Sequence, residues 1–280
     1  MTLNDIYHAI DPVALSLGPL QIRWYGLAYV AGFICAFLVI AKLSQRWKIR
    51  IDDDAFFTVV FCVIFGVILG GRLGYVLVYG DGYYLQHPEK ILAFNEGGMS
   101  FHGGLVGVII GGVIAAKITK IPFLTLADMG VVGVPIGLFF GRCANFINGE
   151  LWGAPTDMPW GVVFGGAAGT MPRHPSQLYE ALLEGVVLFI ILFALSRKTP
   201  ARPRGTFFGT FLLFYGLFRF TIELIRQPDA QIGYLLGTHW FTMGQALSIP
   251  LMVAGVVFLI YAWKTKKPQM GLPDSEISQS

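Results

Sequence analysis

Seven charged residues stand where charge is expensive. Arg72, Arg142, Arg219, Glu223 and Arg226 lie in or at the ends of long apolar runs, and Glu180 and Glu184 open another. Polar groups at membrane depth cost free energy, so they face a bundle interior and mark a site. Four of the seven are arginines, whose planar fork matches a phosphate or carboxylate. The chemistry indicated is recognition of an anion, on a lipid or solute, inside a membrane.

Spacing sharpens the set. Tyr215, Arg219, Glu223 and Arg226 follow at steps of 4, 4 and 3 and share one helix face. One reading is an intrahelical Arg–Glu pair with snorkelling ends, which suits Arg226. The other makes Glu223 the orienting partner of a deeper Arg219, with net positive charge left over for a phosphate. Arg142 and Asn145 lie one turn apart and face together, and Asn148-Gly149 signals a turn. There, either an arginine complements the last helix carbonyls or it binds the ligand. Glu150 is either exposed or an anchor for an arginine. His102 sits among Gly97, Gly98, Gly103 and Gly104, where backbone or ligand can approach closely. Its imidazole can take a proton near neutrality, or shape the turn. No second histidine has metal-ligand spacing to it, so no metal site is expected. Ser100 lies nearby, but no Gly-x-Ser-x-Gly elbow occurs.

The elements that must position these residues are apolar helices. The 280 residues are 55% hydrophobic and 13% charged, with mean hydropathy +0.63; a soluble domain carries about 25% charge. Seven spans are predicted, at 24–41, 55–79, 99–116, 125–145, 178–196, 206–225 and 240–263, each long enough for a layer of about 30 Å. Lys42, Arg46, Lys48 and Arg50 follow the first, Lys117 and Lys120 the third, and Arg197, Lys198, Arg202 and Arg204 the fifth. Lys264, Lys266 and Lys267 follow the last, and together these are most of the 20 Lys and Arg. The positive-inside rule makes that side cytoplasmic, with the N-terminus outside and the C-terminus inside. Residues 147–177 are expected to form a small extracytoplasmic cap, residues 1–267 a single polytopic membrane domain, and 268–280 a disordered cytoplasmic tail. No cleaved signal peptide is evident. Cys35, Cys62 and Cys143 fall in apolar stretches and read as buried hydrophobes. A net charge of +3 gives no indication of nucleic-acid binding.

Helix rise places Arg72 and Arg142 about 25 Å above the cytoplasmic start of their spans and Arg219 about 20 Å above its own. With His102 and Tyr25 opening their spans from outside, five helices are expected to bring polar groups to the outer leaflet. Glycines at 66/70/74, 103/107/111 and 133/137/141 repeat the small-x-x-x-small spacing of close helix pairs.

These segments together resemble a known family. Phe101-His102-Gly103-Gly104-Leu105-Val106-Gly107 is similar to the hallmark of bacterial prolipoprotein diacylglyceryl transferases, as is the stretch from Arg142 through Asn148-Gly149-Glu150-Leu151-Trp152-Gly153. Trp24-Tyr25-Gly26, Gly70-Gly71-Arg72, His174-Pro175-Ser176-Gln177-Leu178-Tyr179-Glu180, Tyr215-Gly216, Arg219-Phe220, Glu223, Arg226, Pro228-Asp229 and Met243-Gly244-Gln245 also match, over about residues 20–250.

The resemblance implies an all-α integral membrane protein of seven helices in the bacterial cytoplasmic (inner) membrane, its site toward the outer leaflet. The reaction implied moves the diacylglyceryl group of phosphatidylglycerol to the lipobox cysteine thiol of a prolipoprotein signal peptide, forming a thioether and releasing glycerol-1-phosphate. Beyond the bilayer and these substrates no partner or cofactor is implied. His102 becomes the candidate base, and Arg142 and Arg219 the groups that stabilise the leaving phosphate. Tyr25 and Asn145 become donors to phosphate or glycerol oxygens, and Glu150 and Glu223 holders of the arginines. Tyr215, Gly103, Gly104 and Arg72 join the substrate-binding set. Two rivals remain at this level. A phosphosolute transporter would want related halves, which are not evident; a hydrolase would use Ser100 or Ser176.

Overall fold

The computed structural model describes residues 2–18, 20–80, 82–93, 97–199, 201–228 and 233–271. The chain divides into two units, one of residues 1–43 and 128–268, the other of residues 44–127 and 269–280.

In the first unit, a short helix α1 (Leu3–Ala9) is closed by a capping box between Thr2 and Asp5. An antiparallel hairpin follows, β1 (Val13–Leu17) and β2 (Leu20–Arg23). Neither element is among the sequence expectations. Helix α2 (Trp24–Trp47) begins directly after β2. Helix α6 (Phe123–Asn148) packs on it through small residues: a Cβ on Gly32 would meet Gly137 at 3.3 Å, and one on Gly133 would meet Ala36 at 3.0 Å. Of the expected glycine face only Gly133 is closed by a neighbour, since a Cβ on Gly137 or on Gly141 would meet nothing within 4 Å. Gly149, with φ +68, ends α6 in the left-handed conformation that the Asn-Gly pair predicts.

Next comes one continuous span in three parts: α7 (Ser176–Glu180), a wide π-helical segment (Ala181–Val187) and α8 (Leu188–Ser196). Wide turns of this kind concentrate at functional sites. Helix α9 (Thr206–Glu223) receives its N-terminal cap from another helix: buried Asp128 of α6 accepts from Gly205 N and Phe208 N, both at 2.7 Å. Helix α10 (Met243–Thr265) packs along α9, where Gly209 and Gly255 bring the two backbones together.

Residues 149–175 fold over the end of α6. Val162, Phe164 and Ala168 form a small core with Phe146, and Leu3 and Tyr7 of α1 pack on it. Tyr7 meets Phe146 and Phe164 edge-on, at 5.4 and 5.0 Å between centroids.

The second unit is built on α3 (Asp53–Tyr79) and α5 (Phe101–Thr119), with α4 (Tyr83–Gln86) in the loop between them. The predicted glycine spacing does what its period implies. A Cβ on Gly70 would stand 2.4 Å from Gly103 O, one on Gly66 2.2 Å from Gly107 O, and one on Gly111 2.2 Å from Cys62 O.

Helices overlap the seven expected stretches, but α9, over the expected span 206–225, is not among those that qualify as membrane spans. Five described stretches are long and apolar enough to cross a membrane: Trp24–Trp47, Asp53–Val78, Phe123–Asn148, Ser176–Ser196 and Met243–Thr265. Gly103–Thr119 is apolar but shorter. Of the predicted tail, Met270 N donates to Thr125 Oγ1 at 3.4 Å; residues 272–280 lie outside the described ones.

Candidate active site

Within the first unit, three guanidinium groups and three carboxylates meet. Arg142 comes from the last turns of α6, Glu180 ends α7, and Glu184 sits in the wide segment after it. Arg219 and Glu223 stand one turn apart on α9. Arg226 lies just beyond, where an isolated bridge pairs it with Gly153. Fully buried Glu180 is the centre. Its Oε2 lies 3.0 Å from Arg142 Nε, and its Oε1 accepts from Arg219 Nη1 and, at 2.8 Å, from Arg226 Nη1. Glu184, also fully buried, places Oε2 3.6 Å from Arg142 Nη2. Glu223 Oε1 pairs with Arg219 Nη2 and lies 3.7 Å from Arg226 Nε. Each charge is compensated by a neighbour, without which burial at this depth would be prohibitive.

Three expectations change here. The sequence suggested net positive charge beside a single Glu223; the formal charges of three arginines and three glutamates cancel. Glu180 and Glu184 are the cause, because the span they open turns both carboxylates toward α6 and α9. Glu150, the expected arginine anchor, instead accepts from Asn145 Nδ2 at 3.3 Å and Asn148 Nδ2 at 3.4 Å. It therefore orients the Asn145 amide. Arg226 does not snorkel; its side chain is 10% exposed and paired inward.

The arginines remain reachable. The side chains of Arg142 and Arg219 are 17% and 16% exposed, and a guanidinium has five N–H donors, of which these pairs engage only some. Tyr215 lies one turn below Arg219, its ring stacked on Phe211 with centroids 5.5 Å apart. Tyr25 opens α2 and is exposed.

Arg226 also lines a cleft of about 530 Å³ bounded by Glu150, Trp152, Arg173 and Gln227. That volume lies in the usual range for small-molecule sites. The wall is cross-linked by Arg173, which stacks over Trp152 at 4.4 Å, donates to Ala168 O at 2.8 Å and reaches Gln227 Oε1 at 3.2 Å. Above it, Trp160 Nε1 donates to Tyr179 Oη at 2.6 Å, and Tyr179 Oη lies 3.2 Å from His174 Nδ1. Burial holds the His174 imidazole below its usual pKa.

Arg72 and the start of α5 belong to the second unit, where Arg72 departs from its expected role. Its guanidinium, 1% exposed, donates to the carbonyls of Ile91 at 2.7 Å, Lys90 at 2.6 Å and Gly98 at 3.1 Å, and to Gly97. A fork committed to four carbonyls has little left for a substrate, so Arg72 is a clamp on the loop before α5. Gly103, expected in the substrate set, is filled by α3: a Cβ there would stand 2.3 Å from Gly70 O. Gly104 has only ordinary space beside Val67. His102 is in the first turn of α5, and its side chain lies outside the described residues. Ser100 caps α5 by accepting from Gly103 N at 3.2 Å, and buried Ser176 donates to Leu151 O at 3.0 Å. Both hydroxyls thus have structural employment, which weighs against the hydrolase reading. Among the described residues no group of three or more His, Cys, Asp or Glu is arranged to hold a metal ion.

Sequence reasoning noticed Glu180, Glu184 and Arg226 as buried charges but left them out of the site. The signal was available: charges at membrane depth pair with one another, and the unmatched arginines called for carboxylates. Arg173 carried no such signal.

Comparison with known proteins returns the family model described as prolipoprotein diacylglyceryl transferase, matching residues 12–261. A protein of Geobacter sulfurreducens named phosphatidylglycerol–prolipoprotein diacylglyceryl transferase is 52% identical over 257 residues, spanning 92% of this chain and 97% of its own. Proteins of the same name from Nitratidesulfovibrio vulgaris and Rhodopseudomonas palustris are 49% and 46% identical, over 89% and 96% of this chain and 94% and 96% of theirs.

Proposed function

This chain belongs to the prolipoprotein diacylglyceryl transferase family, and from that premise we propose how its residues perform the transfer. It is a transferase that moves the diacylglyceryl group from phosphatidylglycerol to a prolipoprotein. The acceptor is the lipobox cysteine thiol. Its proton passes to a base, and the thiolate sulfur attacks the glyceryl carbon that bears the phosphate. A C–S bond forms, the C–O bond breaks with its electron pair on the phosphate oxygen, and glycerol-1-phosphate leaves.

The observation that carries this reading is the meeting of Arg142, Arg219 and Arg226 around buried Glu180. Charge grows on the leaving oxygen, and prepositioned guanidinium groups in a low-dielectric site stabilise it without reorganising. Arg142 and Arg219 grip the phosphate from two helices. The carboxylates fix the guanidinium planes and offset their charge. Asn145, oriented by Glu150, and Tyr25 donate hydrogen bonds to phosphate or glycerol oxygens, and Tyr215 lines the site below Arg219. His102 takes the thiol proton, since a thiol near pKa 8.5 is only slightly ionised at pH 7.

Around this site we read seven spans in a bacterial inner membrane, N-terminus outside and C-terminus cytoplasmic. Residues 147–177 form the outer cap, 1–267 one membrane domain and 268–280 its tail. The purified protein, given phosphatidylglycerol and a lipobox peptide, should raise the peptide mass by one diacylglyceryl group. A peptide with Ser in place of Cys should gain nothing. No mass gain on the cysteine peptide would remove the assignment.

A further inference from the structure

Thr242, 2% exposed, precedes α10, and its hydroxyl is used twice. The oxygen accepts from Gln245 N at 3.2 Å, while Gln245 Oε1 accepts from Thr242 N at 3.0 Å, completing a capping box. The proton goes elsewhere: Thr242 Oγ1 donates to Glu223 Oε2 at 2.7 Å. Capping requires only an acceptor, so the proton is free to bind a carboxylate of the arginine cluster. Two residues on, Gly244 makes room for that carboxylate. A Cβ there would stand 2.4 Å from Glu223 Cδ and 2.6 Å from Oε1. Glu223 is therefore held at Oε2 by Thr242 and at Oε1 by Arg219, and lies directly against the bare backbone of α10.

We infer that the first turn of α10 is a positioning element for the transfer: Thr242 and Gly244 set the carboxylate plane of Glu223, and through it the guanidinium of Arg219. Neither residue contacts the reacting atoms. The geometry gives each a separate task, Thr242 fixing one oxygen and Gly244 the distance. The inference rests on reading Arg219 as a phosphate ligand, and the test separates the two.

The same peptide assay decides it, run beside a thermal midpoint in detergent. Gly244→Ala favours the helix, because alanine is the better helix former, yet its methyl displaces Glu223. Turnover should fall about tenfold or more, the scale of a lost hydrogen bond to a charged group, with the midpoint kept. In a Glu223→Asp background, where the carboxylate is one methylene shorter, Gly244→Ala should cost much less. Such non-additivity is the mark of direct contact. Thr242→Ser keeps donor and acceptor and should stay within about twofold of wild type, whereas Thr242→Val removes the donor, lowers the midpoint by the lost cap and, in its folded fraction, should lose as much turnover as Gly244→Ala. If Gly244→Ala does not fold, the Thr242 pair decides. Wild-type turnover in folded Gly244→Ala or Thr242→Val, beside an inactive Arg219→Ala, would overturn the positioning role alone. A fully active Arg219→Ala would remove the phosphate reading and this inference with it.

Discussion

Arg219 and Arg226 are seven residues apart, yet their Nη1 groups meet on one oxygen, Oε1 of Glu180. Helix α9 stops between them, at Glu223, and Arg226 is drawn into a bridge with Gly153. Two cations that share an oxygen repel each other, and the carboxylate is what makes their approach favourable.

Glu180→Gln should therefore act on both stability and turnover. Removing one partner from a buried charge network costs about 3–5 kcal/mol. The thermal midpoint should fall, and the surviving folded fraction should turn over slowly because its arginines have separated. A folded Glu180→Gln protein with wild-type turnover would show that the arginines need no central carboxylate.

Arg142→Ala and Arg219→Ala should each lose about a hundredfold in kcat, the scale of one transition-state charge contact at about 3 kcal/mol. Lysine keeps the charge but not the fork, so Arg142→Lys and Arg219→Lys should remain impaired. If both alanine variants work at wild-type rate while folded, the phosphate is held elsewhere.

For His102 the test is a pH profile. An imidazole near pKa 6.5 is mostly neutral at pH 7 and able to take a proton. His102→Gln should be almost inactive at pH 7 and recover partly as pH rises toward the thiol pKa of about 8.5, where thiolate forms unaided. A merely structural histidine predicts a loss that pH does not repair, together with a lower thermal midpoint. Full activity of His102→Gln at pH 7 would end the base assignment.

Orientation can be checked by labelling in sealed cells. In a cysteine-free background, single cysteines near Pro155 should react with an impermeant reagent, and those near Lys48 or Arg202 should not. The reverse pattern would invert the topology drawn from the basic loops.

The long helices were legible because an apolar run bounded by charge has few alternatives. Predicted spans 206–225 and 178–196 lie within two residues of α9 and of the span made by α7, the π segment and α8. The hairpin of β1 and β2 was not legible, since two short strands leave no period long enough to read. The wide turn after Glu180 was also hidden, because hydrogen bonds to the fifth residue have no residue signature. In the site, Arg142, Arg219 and Glu223 could be found from their cost at depth. Arg72 shows the limit of that argument. Depth is a coordinate along one helix, and says nothing of the four carbonyls a neighbouring loop brings to the guanidinium. Of the two readings of Glu150 the exposed one holds, and one turn of backbone separates the arginine partner from the amide partner it takes.

The bare seam between α3 and α5 has a genetic consequence. Every missense change in a glycine codon adds at least a Cβ, and at Gly66, Gly70, Gly103, Gly107 and Gly111 that atom would fall within 2.4 Å of a carbonyl oxygen across the seam. A mutational scan scored by growth would rank these positions with Arg142 and Arg219, although their neighbours are backbone. Scored by protein abundance, the two groups should part in degree: glycine variants, whose clash blocks the packing of two helices, disappear from the membrane, while arginine variants, which lose one partner of a buried network, fall in abundance and leave a folded fraction that is silent.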